Sequence, residues 1–377
     1  MDKRIRIAGI AGAIVFAILI WVSPSNPPPI PEPITSSDNE FVQVLVTNLE
    51  KPRAIDFAGD KIFVTEKIGR VRVIESGVLL EEPLATFRAV NTFDGGLLGI
   101  AVHPNFAENH FLYVYLTYEN NGDLWNKVIR ITESENSLVE AVTMFDNIPG
   151  SAFSNGGALK FGPDGKLYVS TGSVSNSSHG PQDIQSLEGK ILRLNDDGTI
   201  PNDNPFSDSP VFSFGHMNTK GLGWDNEGNL FVTEMGPSKN DEINLVQPGG
   251  NYGWPEQECS GSEQFVDPIN CFDPAIEPGG IVFYYGDKIQ LGSFIIFDNC
   301  PPDEQKQLVL ATLRASHLFH LGICEDEVES QQSILSGLGR IRDVAVGPDG
   351  YLYLITSNTD GKGFPDASDD KLLRIMK

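Results

Sequence analysis

Two arginines stand two residues apart in GRIRD (339–343), Arg340 and Arg342, at the start of a strand-like run. In a strand that spacing projects both side chains from one face. Adjacent guanidiniums repel unless an anion lies between them, and their planar forks match carboxylates well. A second stretch, TEMGPSKNDEIN (233–244), holds a Gly-Pro corner, Gly236-Pro237, followed by Asp241 and Glu242. Carbonyls at an irregular corner and nearby carboxylates are the hard oxygen donors that calcium takes. A third, SNGGALKFGPDGKLYVSTGS (154–173), reads as the rim of a binding site, with glycines for close approach, a tight turn and a buried strand. Yet neither its first four residues nor its last three take a proton readily at neutral pH. The six histidines show no H-E-x-x-H spacing, and His103 in VHPNF reads as a structural turn residue.

The elements that must carry these residues announce themselves as a repeat. KIFVTE at 61, FLYVYL at 111, KLYVST at 166, NLFVTE at 229, QLVLAT at 307 and YLYLIT at 351 share one β-branched and aromatic pattern. Most follow turns such as FGPDG, WDNEG and VGPDG. No amphipathic helix of ten or more residues separates them, the nearest being the short ENSLVEAVTMF (135–145). Strand units at this spacing without crossover helices predict an all-β, six-bladed β-propeller. The longest gap, 229 to 307, holds Cys259, Cys271 and Cys300 and predicts an elaborated loop. Function is expected at the mouth of the central channel, where segments flanking the repeats converge.

Composition narrows the partners. The chain has 377 residues, 27 Lys and Arg against 51 Asp and Glu, and a net charge of −24. Such a surface repels phosphate backbones, so no nucleic acid is expected, while divalent cations are suited. At the N-terminus Lys3, Arg4 and Arg6 precede an apolar run from Ile7 to Val22. Its length, ~24 Å as a helix, suits a signal-peptide core or a short transmembrane anchor. No A-x-A cleavage pattern follows, and the proline-rich stretch reads as a stiff spacer, which favours the anchor. The expected organisation is a membrane anchor or signal segment over 1–22, a linker over 23–38 and the propeller over 39–377. The basic flank stays inside, so the remainder is extracytoplasmic, where cysteines pair. Connectivity is open from sequence; the sequential pairs Cys259–Cys271 and Cys300–Cys324 close short loops and are the expectation.

Five stretches together carry a resemblance: DGGLLGIAVHPNF (94–106), SNGGALKFGPDG (154–165), GKILRLNDDGTIPNDNPF (189–206), GHMNTKGLGWDNEGNLFVTEMGPSKNDEINLVQPGGNYGWP (215–255) and GRIRDVAVGPDGYLYLITSNTDGKG (339–363). From about residue 40 onward the chain resembles the soluble quinoprotein aldose dehydrogenases, the glucose/sorbosone dehydrogenase family, six-bladed propellers that use pyrroloquinoline quinone (PQQ) and Ca2+. The resemblance implies a sugar substrate and hydride transfer from its anomeric carbon to the quinone. It implies that the carbonyls of Gly236 and Pro237 hold calcium, with Asp241 and Glu242 organising that corner or binding calcium nearby. Arg314, in TLRASH, stands where the family sets a basic residue against the quinone, and Arg340, Arg342 and Asn218 fall at cofactor-binding positions. His216 also matches the family pattern.

Four positions depart from that pattern. The histidine that removes the hydroxyl proton begins an H-N-G-G motif; here the motif opens on Ser154. Its supporting aspartate is Ser173, the arginine before Asn218 is Met217, and the polar residue before the Gly-Pro corner is Met235. A serine without a partner base cannot act as a base near neutral pH, and losing a positioned base forfeits roughly 10²–10⁴-fold in rate. His179 and Asp94 are the substitutes within reach in sequence. The alternative is a catalytically degenerate propeller that binds a ligand, glycan or protein without turnover. A lactonase-like hydrolase would need a channel ring of Glu, Asn and Asp that the sequence does not display.

Overall fold

In the computed structural model, which describes residues 41–174, 180–289, 300–301 and 304–376, each repeat forms the second strand of a four-stranded antiparallel arrangement. Six such sheets follow one another along the chain, one of them with a short fifth strand. The second strands, among them Lys61–Glu66, Leu167–Thr171, Leu230–Glu234 and Leu352–Thr356, are almost entirely buried. Each is covered on both faces by neighbouring blades, so both faces must be apolar. That is why the repeat reads as a continuous β-branched and aromatic run rather than an alternation.

Six hydrophobic clusters hold the ring, one at each junction of successive blades. Phe63, Val71, Leu97 and Ile131 join blades 1 and 2, for example, and Val46, Ile55, Tyr353 and Ile355 join blade 6 to blade 1. The last blade is composite: Val42–Val46 pairs antiparallel with Leu372–Ile375, so a strand from the start of the propeller completes the blade at its end.

The inner strands, Pro52–Ala58, Leu97–Val102, Gly156–Phe161, Thr219–Trp224, Pro278–Phe283 and Ile341–Val346, pack side by side around the axis. Glycine makes two of these contacts possible. A Cβ on Gly279 would lie 2.1 Å from the Arg342 carbonyl oxygen, and one on Gly221 would lie 2.7 Å from that of Gly279.

Both disulfides join the sequential pairs, Cys259–Cys271 and Cys300–Cys324. Residues 135–145 supply no helix; Ser137–Pro149 is the outer strand of blade 2. The N-terminal anchor or signal segment, the whole proline-rich linker and His179 lie outside the described residues. Among the described residues no helix is long and apolar enough to cross a membrane.

Candidate functional site

The residues at the starts of the inner strands meet one another across blade boundaries and form the mouth of the channel. Asp94, on the loop before the blade 2 inner strand, is one hub. It accepts from Lys220 Nζ at 2.6 Å and Arg53 Nη2 at 3.2 Å. The Asn155 backbone N–H, at 3.1 Å, and Asn218 Nδ2, at 3.4 Å, also donate to it. Burial opposes the Asp94 charge, but Lys220 and Arg53 outweigh it and hold the carboxyl well below the usual carboxylate range. A carboxylate so stabilised is a poor proton acceptor, which corrects the expectation that Asp94 could replace the missing base.

Glu277, just before the blade 5 inner strand, is the second hub. Its carboxylate takes Arg340 Nη2 at 2.9 Å, Arg314 Nη2 at 3.0 Å and Lys362 Nζ at 3.0 Å. Burial is overcome by Arg340 and Lys362, and the carboxyl is lowered to about 2. Asp360, in a 3-10 turn over Asn358–Asp360, accepts from Arg340 Nε at 2.9 Å and lies 3.5 Å from Arg342 Nη2. The anion that the Arg340–Arg342 spacing demands is therefore supplied in part by the protein itself. Arg342 is incompletely served: its Nε is buried without a partner, and burial and the Arg53 charge lower the group to about 9. Arg314, Arg340 and Arg342 are thus gathered around two shared carboxylates, Glu277 and Asp360, and the Arg342 Nε–H is left without an acceptor.

The Gly-Pro corner is tied to the segment that carries Glu277. Asp241 accepts from the Gly236 backbone N–H at 2.9 Å with one oxygen. Its other oxygen takes those of Ile276 and Glu277 at 2.7 and 2.8 Å, joining the corner to the arginine hub. Glu242 accepts from the Cys259 N–H at 2.6 Å and Asn244 Nδ2 at 3.2 Å. Burial and the neighbouring Glu234 raise its carboxyl to about 8. Asp241 thus organises the corner, while Glu242 ties the loop that carries Cys259 to its strand. Gly236 is half-buried and Pro237 exposed. A Cβ on Gly236 would meet the carbonyl oxygens of Lys239 and Asn240 at 2.2 and 2.8 Å, so the turn curls carbonyls around a position only glycine fits. Such a donor set has calcium chemistry. Among the described residues no cluster of three His, Cys, Asp or Glu side chains could hold a metal.

The four departures adjoin one another. Ser154, at φ +57°, presents its carbonyl to Gly172, where a Cβ would sit 1.7 Å from that oxygen. The Ser173 N–H donates to the Met217 carbonyl at 2.7 Å, and that of Met235 to the Asn218 carbonyl at 3.1 Å. Asn218 Oδ1 in turn accepts from the Gly156 N–H at 3.0 Å. His216 sits away from this chemistry, buried between Ser213 Oγ and Glu234 at 2.8 Å each and stacked on Tyr252. His103 accepts from the Asn105 N–H at 2.9 Å, a local turn role.

Arg53, Lys67, Lys220, Glu277 and Asp360 were missed by sequence reading. A signal was present: Arg53, Lys220 and Arg342 each occupy the second position of an inner strand. Deeper in the channel lie Asp56, Lys160 and Asp343. Asp343 accepts from the Ile55 and Val344 N–H groups at 3.0 and 2.9 Å, and burial raises it to about 6. Because the folded state holds this proton more tightly than an unfolded aspartate, the Asp343 contribution falls as pH rises from about 4 to 6, by about 1.4 kcal/mol per unit. Urea melts of Asp343→Asn against the parent should show that slope vanish; parallel curves refute it.

A family model described as Glucose / Sorbosone dehydrogenase matches residues 49–374. The aldose sugar dehydrogenase YliI of Escherichia coli (strain K12) is 30% identical over 357 residues, covering 85% of this chain and 91% of that protein. Quinoprotein glucose dehydrogenase B of Acinetobacter calcoaceticus is 35% identical over 253 residues, 58% of this chain and 53% of that protein. Among solved structures, the PQQ-bound form of aldose sugar dehydrogenase from Streptomyces coelicolor superposes with a TM-score of 0.78 at 33% identity, covering 89% of this chain and 97% of that one. With a propeller whose mouth gathers the arginines and the Gly-Pro corner, and with a family match spanning most of its length, the chain belongs to the glucose/sorbosone dehydrogenase family.

Proposed function

We propose that this protein is a PQQ- and calcium-dependent aldose sugar dehydrogenase, extracytoplasmic and tethered to the membrane by residues 1–22. The observation that supports the reading is the gathering of Arg314, Arg340 and Arg342 around Glu277 and Asp360, linked through Asp241 to the Gly-Pro corner. When bound, PQQ supplies the acceptor for a hydride from the sugar, and calcium polarises it. The residues of this chain do the rest. Arg342 Nε, Arg340 and Arg314 receive cofactor carboxylates; Asn218 holds the blade 3 and blade 4 inner strands in register beneath it. The carbonyls of Gly236 and Pro237 would hold calcium, in a turn whose shape Asp241 fixes. Two disulfides support an oxidising compartment, and the similarity to an aldose sugar dehydrogenase supports a small sugar ligand.

The second reading, a propeller that binds without turnover, is favoured by one observation: Ser154, Ser173, Met217 and Met235 all lie together where proton transfer would occur. Residues 38–377, titrated with PQQ in calcium buffer, should give a saturable change in quinone absorbance. Arg342→Gln should weaken that binding about 10–100-fold, the worth of one charge-assisted bond or two. Dye reduction with a panel of aldoses then separates the readings, since binding without reduction selects the second. Absence of any PQQ binding overturns the first.

A further inference from the structure

The mouth holds a second cationic group that the cofactor reading leaves unused. Arg53, Lys67 and Lys220 gather at Asp94 beside Arg342. Lys220 and Arg53 share that one carboxylate, and among the described residues Lys67 makes no ion pair. Its ammonium instead donates to the Phe93 carbonyl at 2.9 Å. All three cations are buried, with side-chain exposures of 8% for Arg53 and 5% for Lys220. Three buried cations at the one carboxylate of Asp94 leave a local surplus of two, and counting Arg342 and Lys160 against Asp56 and Asp343 deeper in the channel leaves that surplus unchanged, inside a chain whose net charge is −24. Buried charge of one sign is costly unless an opposite charge joins it. Burial together with mutual repulsion accordingly lowers Lys67 and Lys220 to about 8 each.

Arg53, Lys220 and Arg342 also line the central cavity, whose volume is about 70 Å³. That admits one carboxylate or phosphate group with a few waters, and excludes a sugar ring. At the lip above, Phe93 and Phe153 stack at 4.7 Å and remain largely exposed, on the loops that carry Asp94 and Ser154. An exposed aromatic pair rimmed by polar groups marks a binding surface.

We infer that this site takes a sugar bearing its own oxyanion, a carboxylate or a phosphate, which enters the cavity between Arg53 and Lys220, with Lys67 near its entrance, while the ring rests at the Phe93–Phe153 lip. That such a sugar is a substrate rests on the dehydrogenase reading; the anion site does not. Calorimetric titration of the full chain with calcium, using D-glucuronate, D-glucose 6-phosphate and D-glucose, tests it. At least one acidic sugar should bind tenfold or more tighter than glucose, with an affinity that falls as salt rises. Whichever of the two binds identifies the oxyanion. Arg53→Gln and Lys220→Gln should erase that preference, and Lys220→Arg should keep it. Lys67→Gln, which breaks no ion pair, should reduce it and serves if the other variants fail to fold. Quinone absorbance in the same proteins should report a PQQ affinity within about twofold of the parent. Equal binding of acidic and neutral sugars overturns the inference, as does a preference that survives these substitutions. A loss of PQQ affinity in place of sugar affinity also overturns it, by assigning the cations to the cofactor. If PQQ does not bind yet the preference and its loss are seen, the anion site stands and the dehydrogenase reading falls.

Discussion

Ser154→His combined with Ser173→Asp, in PQQ-loaded protein, is expected to raise aldose turnover by roughly 10²–10⁴-fold, the usual worth of a positioned base. The backbone is ready for the change. Residue 154 has φ +57°, a left-handed conformation that histidine tolerates better than most side chains. Its carbonyl rests against Gly172, which brings residue 173 alongside, and the Ser173 N–H is already anchored on the Met217 carbonyl. An aspartate there would fix the imidazole tautomer and support its protonated form. Ser154→His alone should give a smaller gain, with an activity that rises through the histidine pKa as pH increases. Steady-state dye reduction across pH 5–9 measures both. A double variant that loads PQQ and shows no gain would defeat the lost-base explanation of the departures.

Glu277→Ala carries the largest expected cost in stability, about 3–5 kcal/mol, because it strips the shared carboxylate from Arg340 and leaves a buried guanidinium half-paired. Arg314 and Lys362, both more exposed, recover by hydration and add little. The sign with pH is set by the depressed Glu277 carboxyl: its contribution is complete above about 4.5 and disappears as pH falls towards about 2. Thermal melts of parent and variant should therefore differ by roughly 5–10 °C at pH 7 and converge in acid. A gap that persists undiminished at pH 2 would mean the loss is one of packing.

Why some of this could be read from the chain and some could not follows from what each residue answers to. The second strands are covered on both faces, so their apolar runs repeat visibly, and six runs count six blades. Arg340 and Arg342 declare themselves because their electrostatic conflict is local, two residues apart. Asp94 could not be judged that way. Its partners Arg53 and Lys220 lie 41 and 126 residues away and reach it only because the ring closes, and they turn a candidate base into an inert anion. Glu277 and Arg340, 63 residues apart, were hidden for the same reason. Asp241 and Glu242 were legible as chemistry, and the structure adds that backbone N–H groups occupy them.

The composite blade has a consequence for biosynthesis. The segment Val42–Val46 is made before the five blades that follow it, and its mate, Leu372–Ile375, only after them. Until then the first-made strand is an idle edge, open to pairing with the wrong neighbour. Its hydrogen-bonding hunger must be restrained while the intervening blades are made, and the arrival of Leu372–Ile375 decides whether the circle locks.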